Sequence, residues 1–83
     1  MYKLFDKIID IWKEKNNNKM VLALNTNTTL PTIYKVLNKE NYNVSIINQM
    51  WIDIEDLMTE QEKIDIIMLL NLLWGIENEN RGY

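Results

Sequence analysis

The apolar residues of this chain recur mostly at intervals of three and four, which is the spacing of one face of an α-helix. The first stretch is typical: Leu4, Phe5, Ile8, Ile9 and Trp12 form one stripe, and charged residues take the other side. The pattern predicts an all-α fold of five helices, at residues 2–15, 19–25, 29–38, 44–58 and 59–76. We expect residues 1–78 to form one domain and residues 79–83 to be a flexible C-terminal tail.

A second interpretation of the same pattern is an α+β fold with a small antiparallel sheet. Residues 20–24, 32–37 and 44–47 contain Val, Ile, Thr and Tyr, which favour strands. Strict alternation is poor in these segments, because the neighbours Val36 and Leu37 are both apolar and so are Ile46 and Ile47. The α+β fold therefore stays the alternative.

The two short helices at residues 19–25 and 29–38 are separated by Thr26, Asn27 and Thr28 only. Two helices that meet at a steep angle need a tight turn with a residue at positive φ, and Asn tolerates that conformation best after Gly. They also need a small residue where the backbones approach, and Ala23 provides it. We expect Ile33 and Val36 to pack back on Leu22 and Ala23.

The second of these helices has a typical start, with Thr29 as N-cap and Pro31 in the first turn. The run TLPTIYKVLN (residues 29–38), followed by KENYNVS (39–45), resembles the helix-turn-helix of Cro-like and lactose-repressor-type bacterial and phage repressors. The resemblance covers roughly residues 19–58 and implies a repressor-like helix-turn-helix domain. It departs from the family at Asn27, where Gly is usual, and at Thr28, where an aliphatic residue is usual.

The resemblance implies that residues 29–38 form the recognition helix, whose N-terminal residues enter the major groove of DNA. Leu30 or Pro31 would contact a thymine methyl, and Tyr34 and Lys35 would reach phosphates or base edges. The alternative is that Tyr34 and Lys35 only solvate an exposed helix face. The predicted DNA-binding residues are Lys19, Thr28, Thr29, Leu30, Pro31, Tyr34, Lys35, Asn38 and Lys39.

Charge is distributed unevenly along the chain, whose net charge is −3. Residues 1–39 carry seven Lys and three acidic residues, whereas residues 40–83 carry two basic and nine acidic residues. A local excess of positive charge matters more for phosphate binding than the total does. The basic half contains the predicted recognition helix, so we expect weak, salt-sensitive DNA binding.

The composition excludes several classes of chemistry. Cys and His are absent, which removes disulfides, thiol catalysis and the commonest general base and metal ligand. The acidic residues of the second half follow the polar sides of two helices and do not form a pattern typical of a catalytic or metal site. We therefore expect no enzyme activity, no cofactor and no metal site. Nothing in the sequence resembles a secretory signal or a membrane span, so the expected location is the cytoplasm.

The last predicted helix is apolar almost all round. It begins with a capping box, in which Thr59 caps and Glu62 reaches back. No single face can hold its apolar residues, so we expect one side to join the core and another to meet a second copy of the chain. The alternative is a helix enclosed within one chain. The predicted dimer-interface residues are Ile66, Met68, Leu69, Leu72, Leu73, Trp74 and Ile76.

Together these features predict a small sequence-specific DNA-binding transcriptional regulator of phage or mobile-element type, which binds double-stranded DNA as a homodimer. The alternative is a phage-encoded inhibitor, anti-CRISPR-like, that has a repressor-like fold and binds a host defence protein. Net acidity and the Met- and Trp-containing apolar surface of the last two helices favour the inhibitor.

Overall fold

The computed structural model describes residues 2–16 and 18–80, with side chains as far as Leu73. These residues form five α-helices and no strand: α1 (Tyr2–Lys15), α2 (Lys19–Thr26), α3 (Leu30–Leu37), α4 (Val44–Ile54) and α5 (Glu60–Asn80). The predicted all-α class is confirmed. All three segments considered for a sheet are helical, so the α+β alternative is wrong. No described helix is both long and apolar enough to cross a membrane.

Asn and Thr side chains begin three of the helices. Asn18 Oδ1 accepts a hydrogen bond from the Val21 amide at 3.2 Å, and Asn43 Oδ1 accepts one from the Ile46 amide at 3.1 Å. At α5 the predicted capping box is present. The Thr59 amide donates to Glu62 Oε1 at 2.8 Å, and the Glu62 amide donates to Thr59 Oγ1 at 3.2 Å.

Thr29 does not cap α3 in the predicted way. Its backbone is extended, as an N-cap requires, but its hydroxyl accepts no amide hydrogen bond. The hydroxyl instead lies 3.1 Å from Thr32 Oγ1. The physical reason is local. Pro31 has no N–H to donate to the Thr29 hydroxyl, which pairs with the Thr32 hydroxyl instead.

The core lies between α1, α2, α3 and α4, with α4 in contact with all three of the others. Trp12, Ile33 and Met50 have no solvent-accessible surface. Among the described residues, α5 contacts only α1 and places one residue, Ile66, fully inside. The buried residues are Ile8, Ile9, Ile11, Trp12, Leu22, Ala23, Ile33, Val36, Leu37, Ile46, Ile47, Met50, Ile54 and Ile66.

Two hydrogen bonds fix α1 against the second half of the chain. The buried Trp12 indole donates from Nε1 to Asp53 Oδ2 at 3.1 Å, so its N–H is satisfied inside the core. Tyr42, in the loop before α4, donates its hydroxyl to Asp6 Oδ1 at 2.7 Å. This bond to a carboxylate, with burial and the negative charge of Asp6, raises the pKa of Tyr42 above its ordinary value.

Two helix boundaries differ from the predicted ones by more than one residue. Helix α4 ends at Ile54 rather than Met58, because Glu55 and Asp56 form a turn there. The Leu57 and Met58 amides both donate to the Ile54 carbonyl, at 2.8 Å and 3.1 Å, and close this turn. Helix α5 continues to Asn80 rather than ending near Ile76, and it thus takes in the first two residues of the predicted tail. Residues 81–83 of that tail lie outside the described residues.

Candidate nucleic-acid interface

The turn between α2 and α3 has the predicted geometry. Asn27 adopts φ 53° and ψ 45°, which is the left-handed conformation. The Thr28 amide donates to the Ala23 carbonyl at 2.9 Å, and the Asn27 amide donates to the Leu24 carbonyl at 3.3 Å. This is a Schellman motif, which satisfies the last carbonyls of α2 while the chain reverses direction.

The apolar residues on the inner face of α3 are buried, as the sequence predicts. Ile33 and Val36 are fully buried, as is Leu22 of α2, and Ala23 is buried beside them. Because these side chains fix one side of α3 in the core, the opposite side of the helix must face solvent. Packing of these side chains in the core therefore determines the orientation of α3.

The solvent side of α3 carries most of the predicted DNA-binding residues. Leu30, Pro31, Tyr34, Lys35 and Asn38 are all exposed, with 49% of Tyr34 accessible. The ammonium of Lys19 lies 6.0 Å from the centre of the Tyr34 ring, so the two helices also meet at this outer edge. We call these five residues of α3 and its C-cap the α3 edge.

Three predicted DNA contacts are engaged within the protein. Thr28 Oγ1 lies 2.8 Å from Thr26 Oγ1 inside the turn. Lys39 Nζ lies 3.0 Å from Asp10 Oδ1 and ties the end of α3 to α1. Thr29 is exposed, but its hydroxyl is paired with Thr32 as described above. The structure therefore places the five residues of the α3 edge on one exposed surface. The side chains of Thr28, Thr29 and Lys39 have partners within the chain instead.

Lys39 has a second structural role that the sequence did not indicate. It adopts φ 61°, and the Glu40 amide donates to the Lys35 carbonyl at 2.9 Å. The Lys39 amide donates to the Val36 carbonyl at 2.9 Å, so α3 ends in a Schellman motif as α2 does. Lys rarely takes a positive φ, and only the end of the helical pattern near Asn38 offered a signal for it.

Three Lys side chains of the first half pair with carboxylates on neighbouring helices. Besides Lys39, Lys7 lies 3.4 Å from Asp65 and Lys15 lies 3.3 Å from Glu62, both pairs joining α1 to α5. The Thr59 amide and the Lys15 ammonium hold the pKa of Glu62 below its ordinary value. Three of the seven Lys are thus neutralised locally, which leaves less positive charge for phosphates than the sequence suggests.

Sequence reasoning missed an apolar surface on α2. Met20 is 66% exposed and Leu24 is 77% exposed, with Val21 beside them. The spacing of Met20 and Leu24 by four residues was the available signal, since Leu22 and Ala23 already fill the inner side of this short helix. The outer side of α2 is consequently apolar next to the α3 edge.

The predicted dimer residues of α5 do not share one surface. Ile66 is in the core of its own chain, and Leu69 and Leu73 are half-buried beside it. Met68 and Leu72 are exposed, whereas the side chains of Trp74 and Ile76 lie outside the described residues. Because Ile64, Ile67 and Leu70 are also exposed, the alternative of a helix enclosed within one chain is wrong for residues 60–73 of α5.

Acidic residues in the described part serve structural contacts. Asp53 accepts from Trp12 and from Gln49 Nε2, and Asp65 accepts from Gln61 Nε2 at 3.0 Å. No group of three or more of these carboxylates is arranged to hold a metal ion in the described chain.

Comparisons of the chain with protein families, with curated proteins and with solved structures found no match. The resemblance of residues 19–58 to repressors therefore stays a prediction.

Proposed function

We propose that this chain is a small, cytoplasmic, sequence-specific DNA-binding regulator of phage or mobile-element type. Helices α2 and α3 with the Asn27 turn form its helix-turn-helix, and α3 is the recognition helix. The observation that carries the proposal is the α3 edge, a set of exposed side chains on a helix whose other side is locked in the core. We assign no catalytic activity and no cofactor to the chain.

The N-terminal turn of α3 enters the major groove in this proposal. Leu30 and Pro31 are exposed there and offer apolar contact to thymine methyl groups, which suits an AT-rich site. Tyr34 and Lys35 lie one turn further along, where a hydroxyl and an ammonium reach phosphates or a guanine edge. Asn38 follows at the end of the helix.

Electrostatics sets the expected strength of binding. Lys35 is exposed and takes part in no ion pair among the described residues, and Lys19 is held near Tyr34 at the same edge. With Lys7, Lys15 and Lys39 paired to carboxylates, few cations are left to displace counterions. We therefore expect modest affinity and a shallow dependence on salt concentration.

Titration of AT-rich and GC-rich duplexes with the purified chain tests the proposal, with fluorescence anisotropy measured at several salt concentrations. Lys35→Ala should weaken binding about fivefold and reduce the salt slope by about one. Tyr34→Ala should weaken binding without reducing the salt slope. Lys63→Ala is the matched control, since it removes the same charge from α5, which contacts neither α2 nor α3 in the described structure.

Three results would count against the recognition role. The first is no binding at low salt. The second is equal binding by the wild-type chain and by both α3 variants. The third is a loss in Lys63→Ala as large as that in Lys35→Ala, which would indicate a general effect of net charge.

A specific observation favours a second candidate, a phage-encoded inhibitor that binds a host protein. In helix-turn-helix proteins the first helix crosses the DNA backbone, where cations and hydrogen-bond donors are useful. Here that helix presents Met20 and Leu24, which neutralise no phosphate. Exposed apolar side chains of this kind are typical of protein-binding surfaces.

The double variant Met20→Gln, Leu24→Gln separates the two candidates. A DNA-binding regulator should keep its duplex affinity within about twofold, because no phosphate contact is lost. A protein-binding inhibitor should lose its partner in pull-downs from host lysate that resist nuclease treatment, and the α3 variants should retain more of it. Loss of duplex binding in the double variant would place DNA on α2 and contradict the proposed arrangement.

A further inference from the structure

Helix α5 exposes a continuous apolar stripe on the side away from its own core. Ile66 is only 2% exposed, whereas Ile67 is 55% and Met68 is 59% exposed. Ile64 lies one turn before Met68 and Asn71 one turn after Ile67, so these residues share the outer side of the helix. We call Ile64, Ile67, Met68 and Asn71 the outer stripe.

Apolar grooves flank the outer stripe on both sides. One groove, of about 370 Å³, lies towards α4 and is lined mainly by Trp51, Met58, Ile66, Ile67 and Leu70. The other, of about 280 Å³, lies towards α1 and is lined by Met68, Leu69 and Leu72 together with the ion-paired Lys7 and Asp65. Two copies of this surface are complementary in shape, because the ridge of side chains on each copy can lie in the groove of the other.

The position of Asn71 favours a second copy over an unrelated partner. Ile64, Ile67 and Asn71 are spaced by three and then four residues, as the core positions of a helix pair are. An Asn side-chain amide both donates and accepts hydrogen bonds. Two Asn71 side chains that meet across a two-fold axis can therefore hydrogen-bond to each other. A single Asn in such an apolar seam is a known way to fix register and the number of helices.

The exposed area sets the expected strength of such a pair. Ile64, Ile67, Met68 and Leu70 are each about half exposed on this side of α5. They offer roughly 400 Å² per chain and roughly 800 Å² over two copies, which is below the roughly 1,000 Å² of a stable specific interface. An interface of that size corresponds to a weak, reversible dimer.

We infer that the chain forms a two-fold symmetric dimer through the outer stripe of α5, with the two Asn71 side chains paired near the axis. This deepens the proposed function and rests on it, because the dimer places two α3 edges on one particle. Since α5 does not contact α2 or α3 in the described structure, dimerisation leaves both edges open. The stripe replaces the sequence-predicted interface, which included the inward-facing Ile66.

Sedimentation equilibrium of the full chain from about 1 μM to about 1 mM tests the inference. The wild-type chain should change from monomer to dimer across this range. Met68→Glu should raise the dimer dissociation constant at least about 100-fold, because each chain would place a carboxylate against apolar side chains of the other. Leu24→Glu is the matched control: it places the same charge on an exposed apolar position of α2 and should leave the dissociation constant unchanged.

Two Asn71 variants test the register. Asn71→Asp should dissociate the dimer, whereas Asn71→Leu should keep association but add species larger than a dimer. Helix content by circular dichroism should match the wild type in every variant, which separates loss of association from loss of fold. A wild-type chain that is monomeric at the highest concentration overturns the inference, as does an equal effect of Met68→Glu and Leu24→Glu.

These experiments distinguish a failure of dimerisation from a failure of DNA binding. A monomeric chain that still binds duplex through Lys35 overturns the dimer and leaves the proposed function standing. A dimer of the expected kind that binds no duplex at low salt supports the dimer and overturns the proposed function.

Discussion

Helices α3 and α5 divide their side chains between core and solvent in different ways. In α3, eight residues long, three apolar residues are buried and the exposed side is mixed in character. In α5, only Ile66 is fully buried among residues 60–73, and five large apolar residues stay exposed. An amphipathic helix can bury its apolar side within one chain, whereas a helix that is apolar all round leaves an apolar surface that one chain does not cover.

An Ile→Ala substitution should destabilise the folded chain much more in α3 than in α5. Ile33→Ala should reduce the free energy of unfolding by about 3 kcal/mol, because it leaves a cavity at a fully buried position. Ile67→Ala should change it by no more than about 0.5 kcal/mol in dilute solution, since the side chain is half exposed. Urea denaturation at low micromolar concentration measures both, and equal losses would contradict the division between the two helices.

The orientation of α3 depends on the Asn27 turn, and substitutions there should have a smaller effect. Asn27→Val should reduce the free energy of unfolding by about 1–2 kcal/mol, because a β-branched residue is disfavoured at φ 53°. Asn27→Gly should keep or raise stability, since Gly adopts this conformation without steric cost. Thermal unfolding of the two variants side by side provides the measurement. A Val variant as stable as the Gly variant would show that the turn does not hold α3.

The smallest expected effect concerns the start of α5, which has the reciprocal cap that α3 lacks. The pKa of Glu62 is lower in the folded chain than its ordinary 4.5, so the carboxylate stabilises the fold above that pH. This contribution should be lost as the pH falls below 4.5 through the folded pKa. Glu62→Gln should therefore flatten the decrease in melting temperature between pH 5 and pH 3. Glu14→Gln, which removes the same charge from an exposed position of α1, is the control, and an unchanged slope in Glu62→Gln would contradict the role of the cap.

The sequence was sufficient for the fold class and for the local geometry of the turn. Apolar spacing identified all five helices, the choice of Asn27 for a positive φ is confirmed, and Ala23 is buried as expected. These features depend on a few neighbouring residues, and local physics determines them. The start of α1 and the capping box at Thr59 were predictable for the same reason.

Contacts between distant residues were not predictable from the pattern. Lys39 was assigned to DNA, but its pairing with Asp10 depends on how the end of α3 meets α1. Likewise Ile66 was assigned to a dimer interface, although contact with α1 turns that side of α5 inward. Helical periodicity says which residues share a face, but it does not say which face another helix covers.

Chemical-shift mapping of the ¹⁵N-labelled chain with a short AT-rich duplex shows whether α3 presents its exposed edge to DNA. We expect the largest amide shifts between Thr28 and Asn38 and little change in α5 residues 64–72. Lys35→Ala should reduce those shifts at equal duplex concentration. Shifts centred on α5, or no shifts at low salt, would contradict the claim.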